Sequence, residues 1–334
     1  MGDQDAYSRA GVSQRDADVS VAALVEHLSR IDPGRDSRVV PLPGHYASVI
    51  RATDSLGIAF ATDGVGTKML VAEQLGRFDT IGVDCIAMNV NDLVCVGAEP
   101  VALLDFILCS TADPDVIGQI GAGLRRGAEL AGVEIPGGEI AQVGDVVSGW
   151  ELSASAIGLV DLDAIVAGAE VEPGDVLIGL PSSGLHSNGY TLARRVLADV
   201  PLDDERLERP LGEILLEPTE IYVRAVLELL RSEIGVRGLA HITGDGLNNL
   251  LRLEAEVGYA IDAPLEPQPI FGLIQELGGV PDEEMHEVFN MGLGFVCFVP
   301  AGDADRAVHV LAAHHPGTRR IGEVTDRVGV VERV

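Results

Sequence analysis

The chain has 334 residues, 47% of them hydrophobic, with 52 Asp and Glu against 23 Lys and Arg and a formal net charge of −29. That is enough apolar material for a sizeable core in one or two domains. The acidic surplus denies nucleic acid and anionic lipid the basic footprint both require, so neither is expected as a partner.

Lys68 is the single lysine, and every other fixed cationic side chain is an arginine. High acid content with almost no lysine fits a halophilic protein kept soluble in concentrated salt, where self-repulsion is screened within about 3 Å at 1 M. An ordinary acidic surface would account for the acids but not for the loss of lysine. No apolar run approaches the roughly 20 residues that span a bilayer, and "MGDQDAYSRAGVSQRD" lacks a signal-peptide core, so we expect a soluble, cytoplasmic protein. Cysteines 85, 95, 109 and 297 sit in apolar stretches without a close pair and read as small buried hydrophobes.

Along the chain, residues 1–55 are polar and punctuated by Pro and Gly, with one helix expected near 20–30 and the segment ordered by what it covers. From "LGIAFATDGVG" onward, short β-type runs alternate with helical patterns such as "DVIGQIGAGLRRGAELAGV", up to a strand at "SASAIGLV". "AGAEVEPGD" reads as a connection, after which strand and helix alternate again. We therefore expect two α/β domains, residues 1–165 and 166–334.

The chemistry concentrates in the first half. In "TDGVGTK" an acid, two glycines, a hydroxyl and an amine follow a strand, which suits a loop approaching phosphate. It is not a Walker loop, because the spacing fails and Met69 follows the lysine. A tight turn with a solvated lysine would look the same. In "GVDCIAMNVNDLVCVGAEP" a helix places Asp84 and Asn91 nearly in line, with Asn89 and Asp92 farther round that side, opposite Ile86, Val90, Leu93 and Val94. Such a polar side is costly to bury unpaired, and a cation such as Mg²⁺ is the economical partner. "EIPGGEIAQVGD" presents Glu139 after a Gly137-Gly138 pair, which is either a close approach to ligand or a plain turn. In the second half, "LPSSGLHSNGY" and "LAHITGDGLNNLLR" each lead a polar loop into a helix, which could cradle a phosphate or carboxylate; His186 reads equally as a loop-packing residue.

Together these pieces resemble the phosphoribosylformylglycinamidine cyclo-ligases, also called aminoimidazole ribonucleotide synthetases. "YSRAGV", "GHYA", "TDGVGTK", "FDTIGVDCIAMNVNDLVCVGAEP", "GGE", "SSGLHSNGY", "EPTEIYV", "AHITGDG" and "FNMGLGF" span nearly the whole chain in the family's order, and "GHYA" is similar to the archaeal form. The resemblance implies an N-terminal ATP-binding and dimerisation domain, whose strands form a barrel-like core with a second subunit in a homodimer. It also implies a C-terminal mixed-sheet domain with flanking helices. The implied ligands are ATP, Mg²⁺ and formylglycinamidine ribonucleotide. ATP would phosphorylate the formyl amide oxygen, and the ribosyl-bearing nitrogen would then close the imidazole ring and expel phosphate.

Carried over by residue, Asp63 and Asp92 become metal ligands. Gly64, Gly66, Thr67, Lys68, Asn89, Asn91, Gly138 and Glu139 become nucleotide-site residues. Lys68 and His241 would face phosphates, His186 would act on the reacting group, and Ser183, Ser187, Asn188 and Thr243 would touch substrate. The chain departs from the pattern at Ile140, where a threonine is usual, and at Asp245, where a glycine is usual. Arg35 or Arg38 stands where an N-terminal lysine is expected. Selenophosphate synthetases fit poorly because no cysteine precedes residue 85. Thiamine-monophosphate kinases, amidotransferase synthetase subunits and a non-catalytic nucleotide-binding protein are the other readings.

Overall fold

The computed structural model describes residues 14–334, so the "YSRAGV" segment lies outside the described residues. The helix expected near 20–30 is α1 (Gln14–Leu28), which leaves Val21, Leu24, Val25 and Leu28 each more than half exposed, while Tyr46, Ala47 and Val49 of the same segment are buried in the core.

The first half builds one six-stranded sheet from β1 (Val39–Val40), β2 (Ser48–Arg51), β3 (Leu56–Gly64), β4 (Glu99–Cys109), β5 (Glu134–Gln142) and β6 (Trp150–Asp161), in the order β1-β2-β3-β6-β4-β5. Every pair is antiparallel except β4 with β5. Burial alternates along β6, as a period-2 strand with one covered face requires. The sheet curls as a half barrel.

The covered face is packed by α3 (Ile81–Cys95), and α4 (Pro114–Ala131) lies against α3; a short helix α2 (Met69–Leu75) precedes them. Every residue of α3 except Asp92 is buried. Helix α4 starts where the Asp113 carboxylate caps the N–H groups of Asp115 and Val116 and stops at Gly132, which takes φ +76°. The two helices touch backbone to backbone. A β-carbon on Gly123 would lie 2.7 Å from the Asp79 carbonyl, and one on Gly82 would collide with the Leu124 nitrogen.

The second sheet comes from β7 (Val176–Pro181), β8 (Gly238–His241), β9 (Gly258–Ile261), β10 (Leu293–Val299), β11 (Arg319–Thr325) and β12 (Val331–Arg333), in the order β12-β9-β11-β7-β10-β8. All seven residues of β10 are buried, so both faces of that strand are covered and the alternation disappears. Its helices are α5 (Tyr190–Val196), α6 (Leu211–Leu215), α7 (Val223–Leu230), α8 (Pro269–Gly278), α9 (Asp282–Val288) and α10 (Ala304–Ala312). The expected helix at "GLNNLLR" is a 3₁₀ turn, Gly246–Arg252. All four cysteines are buried and free. Among the described residues no helix is long and apolar enough to cross a membrane.

Candidate functional site

Helix α3 is the axis about which the polar residues gather, because it is wedged between the first sheet and β8 of the second. At its C-terminal end His241 Nδ1 lies 2.9 Å from Asp92 Oδ1, while His241 Nε2 lies 3.4 Å from the Asn91 amide nitrogen. That amide also donates to the Glu220 carbonyl at 2.9 Å, and Asn91 Oδ1 accepts from Tyr222 N at 3.0 Å. An amide nitrogen can only donate, so His241 accepts at Nε2 and carries its proton on Nδ1, toward Asp92.

Asp63 closes β3. Its own Gly64 N–H donates to the carboxylate at 2.7 Å, and its carbonyl receives the Asn89 amide at 3.3 Å. Burial, reinforced by the charge of Asp92 and opposed by the Gly64 N–H, pushes the Asp63 carboxyl up to about 6. Asn89 Oδ1 is buried without a partner. Two carboxylates that repel each other beside an unsatisfied carbonyl oxygen are a donor set for a hard cation. Among the described residues no group of three His, Cys, Asp or Glu is arranged to hold a metal by itself. The set therefore suits Mg²⁺, which takes one or two carboxylates and completes its shell with water and phosphate.

Asp84 and Lys68 form a second centre, one fully enclosed by protein. The ammonium lies 2.9 Å from both Asp84 oxygens and donates to the carbonyls of His186 at 3.1 Å and Glu217 at 2.6 Å. The polar side of α3 thus finds its partners within the protein: Asp84 in Lys68, Asn91 in the backbone of residues 220–222, Asp92 in His241. The expectation that this side needs an external cation therefore fails for Asp84 and Asn91, whereas Asp92 commits only Oδ1 to His241. Nor does Lys68 face a phosphate pocket here, since its side chain has no exposure and its three donors are taken.

Around this core the remaining residues converge from both halves. Thr67 Oγ1 lies 3.3 Å from Thr191 Oγ1, and Ser187 Oγ lies 3.1 Å from Thr219 Oγ1. Gly66, at φ +65°, donates to Glu151 at 3.3 Å. Ser183 Oγ donates to the Pro218 carbonyl, and Thr243 Oγ1 donates to Asn249. Asn188 packs on Gly244, where a β-carbon would lie 3.2 Å from the amide oxygen.

The strand register places Glu139 elsewhere. Asp63, Ala154, Asp105 and Gly138 form one row across β3, β6, β4 and β5, so their side chains share the covered face. Glu139 pairs with Phe106 in the next row, on the opposite and exposed face. The acid that joins Asp63 on the inner face is Asp105, whose carboxylate lies over Gly138 and whose pKa burial raises. A lone acid in the apolar strand "VALLDFILC" was the signal for it. Arg252 was also missed. Its guanidinium stacks 4.9 Å from the Tyr46 ring, Tyr46 donates to the Asn249 carbonyl at 2.8 Å, and its charge acts on both Asp63 and His45. Arg35 folds back on the Asp36 carbonyl and is exposed, as is Arg38.

Residues 44–160 match the family described as AIR synthase related protein, N-terminal domain, and residues 172–334 match its C-terminal domain. The chain is 48% identical over 332 residues to the phosphoribosylformylglycinamidine cyclo-ligase of Methanothermobacter thermautotrophicus, covering 98% of this chain and 96% of that one. The chain belongs to the phosphoribosylformylglycinamidine cyclo-ligase family. The cyclo-ligase of Pyrococcus furiosus is 44% identical over 330 residues, covering 97% of this chain and 96% of the relative. Two solved structures share the fold at low identity. A thiamine-monophosphate kinase from Stenotrophomonas maltophilia has a TM-score of 0.62 at 21% identity, covering 88% of this chain and 91% of its own. The hydrogenase maturation protein HypE in complex with ATP has a TM-score of 0.61 at 20% identity, covering 88% and 87%. The cyclo-ligase resemblance carried by the motifs is therefore shown, and the kinase likeness is one of fold.

Proposed function

We propose that this chain converts formylglycinamidine ribonucleotide to 5-aminoimidazole ribonucleotide, consuming ATP and releasing ADP and phosphate, as a step of de novo purine synthesis in the cytoplasm. The observation that carries the reading is the meeting of Asp63, Asn89 Oδ1, Asp92 and His241 at one end of α3 in a chain of cyclo-ligase sequence. Asp63 and Asp92 would hold Mg²⁺, with Asn89 in support. When bound, the ion would neutralise phosphate charge and orient the phosphoryl group.

The chain's own residues supply the rest. Gly64 and Gly66 let backbone approach the nucleotide, with Thr67 beside them. His241, its proton directed at Asp92, keeps that carboxylate oriented. Ser183, Ser187, Asn188 and Thr243 line the substrate side. Phosphorylation of the amide oxygen makes it a leaving group, and the ribosyl-bearing nitrogen displaces phosphate as the ring closes.

A homodimer fits the outer face of the first sheet, where Phe60, Leu104, Phe106, Ile140, Ile157 and Leu159 are each more than a third exposed. Phe60 and Ile157 are register partners, so the patch is continuous across strands. The test is to supply purified protein with ATP and formylglycinamidine ribonucleotide in concentrated KCl and follow ADP and aminoimidazole together. Nucleotide binding without either product would overturn the reading.

A further inference from the structure

An ammonium has three donors, and those of Lys68 are all spent on protein: the Asp84 carboxylate, the His186 carbonyl and the Glu217 carbonyl. The acceptors surround one nitrogen and belong to three separate segments. A planar guanidinium could not meet such a tripod, which explains why the one lysine of an arginine-using chain stands here. Asp84 works from the same spot, where its Oδ1 also accepts from Thr219 N at 2.7 Å and Thr219 Oγ1 at 2.6 Å. The pair thus ties the "TDGVGTK" turn and α3 of the first domain to two backbone points of the second, at His186 and at residues 217–219.

His186 is in turn held in a conformation it would not choose. Its φ is +60°, in the left-handed region that disfavours residues with a β-carbon, and the Lys68 bond to its carbonyl fixes that peptide. The ring is equally constrained. Nε2 lies 3.2 Å from Ser183 N and 3.5 Å from Glu220 N, and a backbone N–H can only donate. Nε2 must therefore accept, which leaves the ring neutral with its proton on Nδ1. That Nδ1 is buried without a partner, an arrangement that folded proteins rarely leave unexplained. Gly294 packs close behind the ring, where a β-carbon would collide with the Tyr222 hydroxyl and lie 2.9 Å from His186 Cε1.

We propose that Lys68 is a positioning residue and not a phosphate ligand: with Asp84 it holds His186 as a neutral ring whose Nδ1–H is presented to an oxygen of the reacting substrate. The identity of that oxygen, the formyl amide oxygen that takes the phosphoryl group, rests on the cyclo-ligase reading; the positioning does not. No proton is transferred. The Nδ1–H keeps its hydrogen throughout, and its bond to that oxygen strengthens as the C–O bond breaks and the oxygen leaves on phosphate with the bonding pair. The charged and titratable groups around the ring are Lys68 and Asp84 from the first domain, His241 from β8, and Glu220, Tyr222 and His315 beyond Nε2. Burial first, and the Lys68 ammonium with it, holds the ring well below the usual imidazole range, in keeping with a donor that stays neutral.

The experiment pairs a spectrum with kinetics on the full-length protein. In ¹⁵N-histidine spectra, with the His186 signals assigned by their loss in His186→Gln, wild-type His186 should show a protonated Nδ1 and an unprotonated Nε2, unchanged between about pH 5 and 8. Lys68→Met alone would leave Asp84 as an uncompensated buried charge, so the working variant is the double Lys68→Met, Asp84→Asn, which removes both charges together. It should keep its circular dichroism and elution volume and lose the fixed His186 tautomer. Its kcat should fall at least about tenfold while KM for ATP moves by less than about twofold. A raised KM for ATP with kcat kept would make Lys68 a nucleotide ligand and overturn the proposal, as would an imidazolium or Nε2–H signal in the wild type. The tautomer readout needs no substrate, so a wild-type chain that makes no aminoimidazole would refute the cyclo-ligase reading while leaving this test intact.

Discussion

Asp92 Oδ1 and His241 Nδ1, 2.9 Å apart, join the last turn of α3 to a strand of the other sheet, so one carboxylate both anchors the two halves and faces the proposed cation. These two duties can be separated. Asparagine at position 92 still accepts from the Nδ1–H but carries no charge. Asp92→Asn and Asp63→Asn should therefore keep the fold while raising the free Mg²⁺ needed for half-maximal turnover at least about tenfold, roughly 1.4 kcal/mol each. Titrating turnover against Mg²⁺ at fixed ATP is the measurement, and an unchanged curve removes that residue from the site.

His45, in the "GHYA" loop, has both ring nitrogens buried without a partner. Burial, and then the charge of Arg252, lowers its pKa from 6.5 to about 4. The folded value lies below the unfolded one, so the unfolded chain binds the extra proton between these limits. The associated stability is present above about pH 6.5 and is lost as pH falls through about 4. Relative to His45→Phe, which cannot titrate, the wild type should lose up to about 3 kcal/mol of stability over that window. Urea melts of both proteins across the range measure the difference, and parallel pH profiles would place His45 in contact with water.

Gly82 and Gly123 let α3 and α4 touch through their backbones. Alanine at position 82 would meet the Leu124 nitrogen, which cannot swing aside as a flexible side chain could. Overpacking there should cost about 1–3 kcal/mol or more, against a gain below about 1 kcal/mol from better helix propensity. Gly118→Ala, where no atom lies within 4 Å, is the matched control and should be neutral or stabilising. Thermal melts of the two variants should separate by several degrees, and equal values would show that the helices can move apart.

One-sided burial leaves a mark in sequence, and it showed the strand "SASAIGLV" that is part of β6, the helical pattern "DVIGQIGAGLRRGAELAGV" that is α4, and the polar and apolar sides of α3. Strand β10, buried on both faces, was visible only as an apolar run. The site was legible where neighbours in sequence are neighbours in space, as for Gly64 with Asp63. It was not legible where the partner came from afar. Lys68 and Asp84 lie 16 residues apart and Asp84 and Thr219 135 apart, so nothing local announced that the polar side of α3 is paired within the protein. Glu139 was misplaced for a simpler reason: a strand position reveals its face only once the register is known, and one residue of offset turns it to the opposite side.

Surface charge supplies the last prediction. The exposed ion pairs, such as Arg125 with Glu129 and Arg320 with Asp262, join side chains that are largely in water and contribute about 0–1 kcal/mol each. They do not neutralise the chain, because 52 acids face 23 bases. The unpaired remainder repels itself, and that repulsion is greatest in the compact state. Added salt weakens both terms, since the Debye length falls from about 10 Å at 0.1 M to about 3 Å at 1 M. Repulsion summed over a net charge of −29 outweighs a small number of weak pairs, so screening should favour the fold. The melting temperature should therefore climb steadily with KCl from dilute buffer into the molar range. The rise should be steepest at low concentration, where the Debye length changes fastest. A flat or falling curve would mean that the exposed pairs carry more of the stability than the acids take away, and the high-salt adaptation would be abandoned.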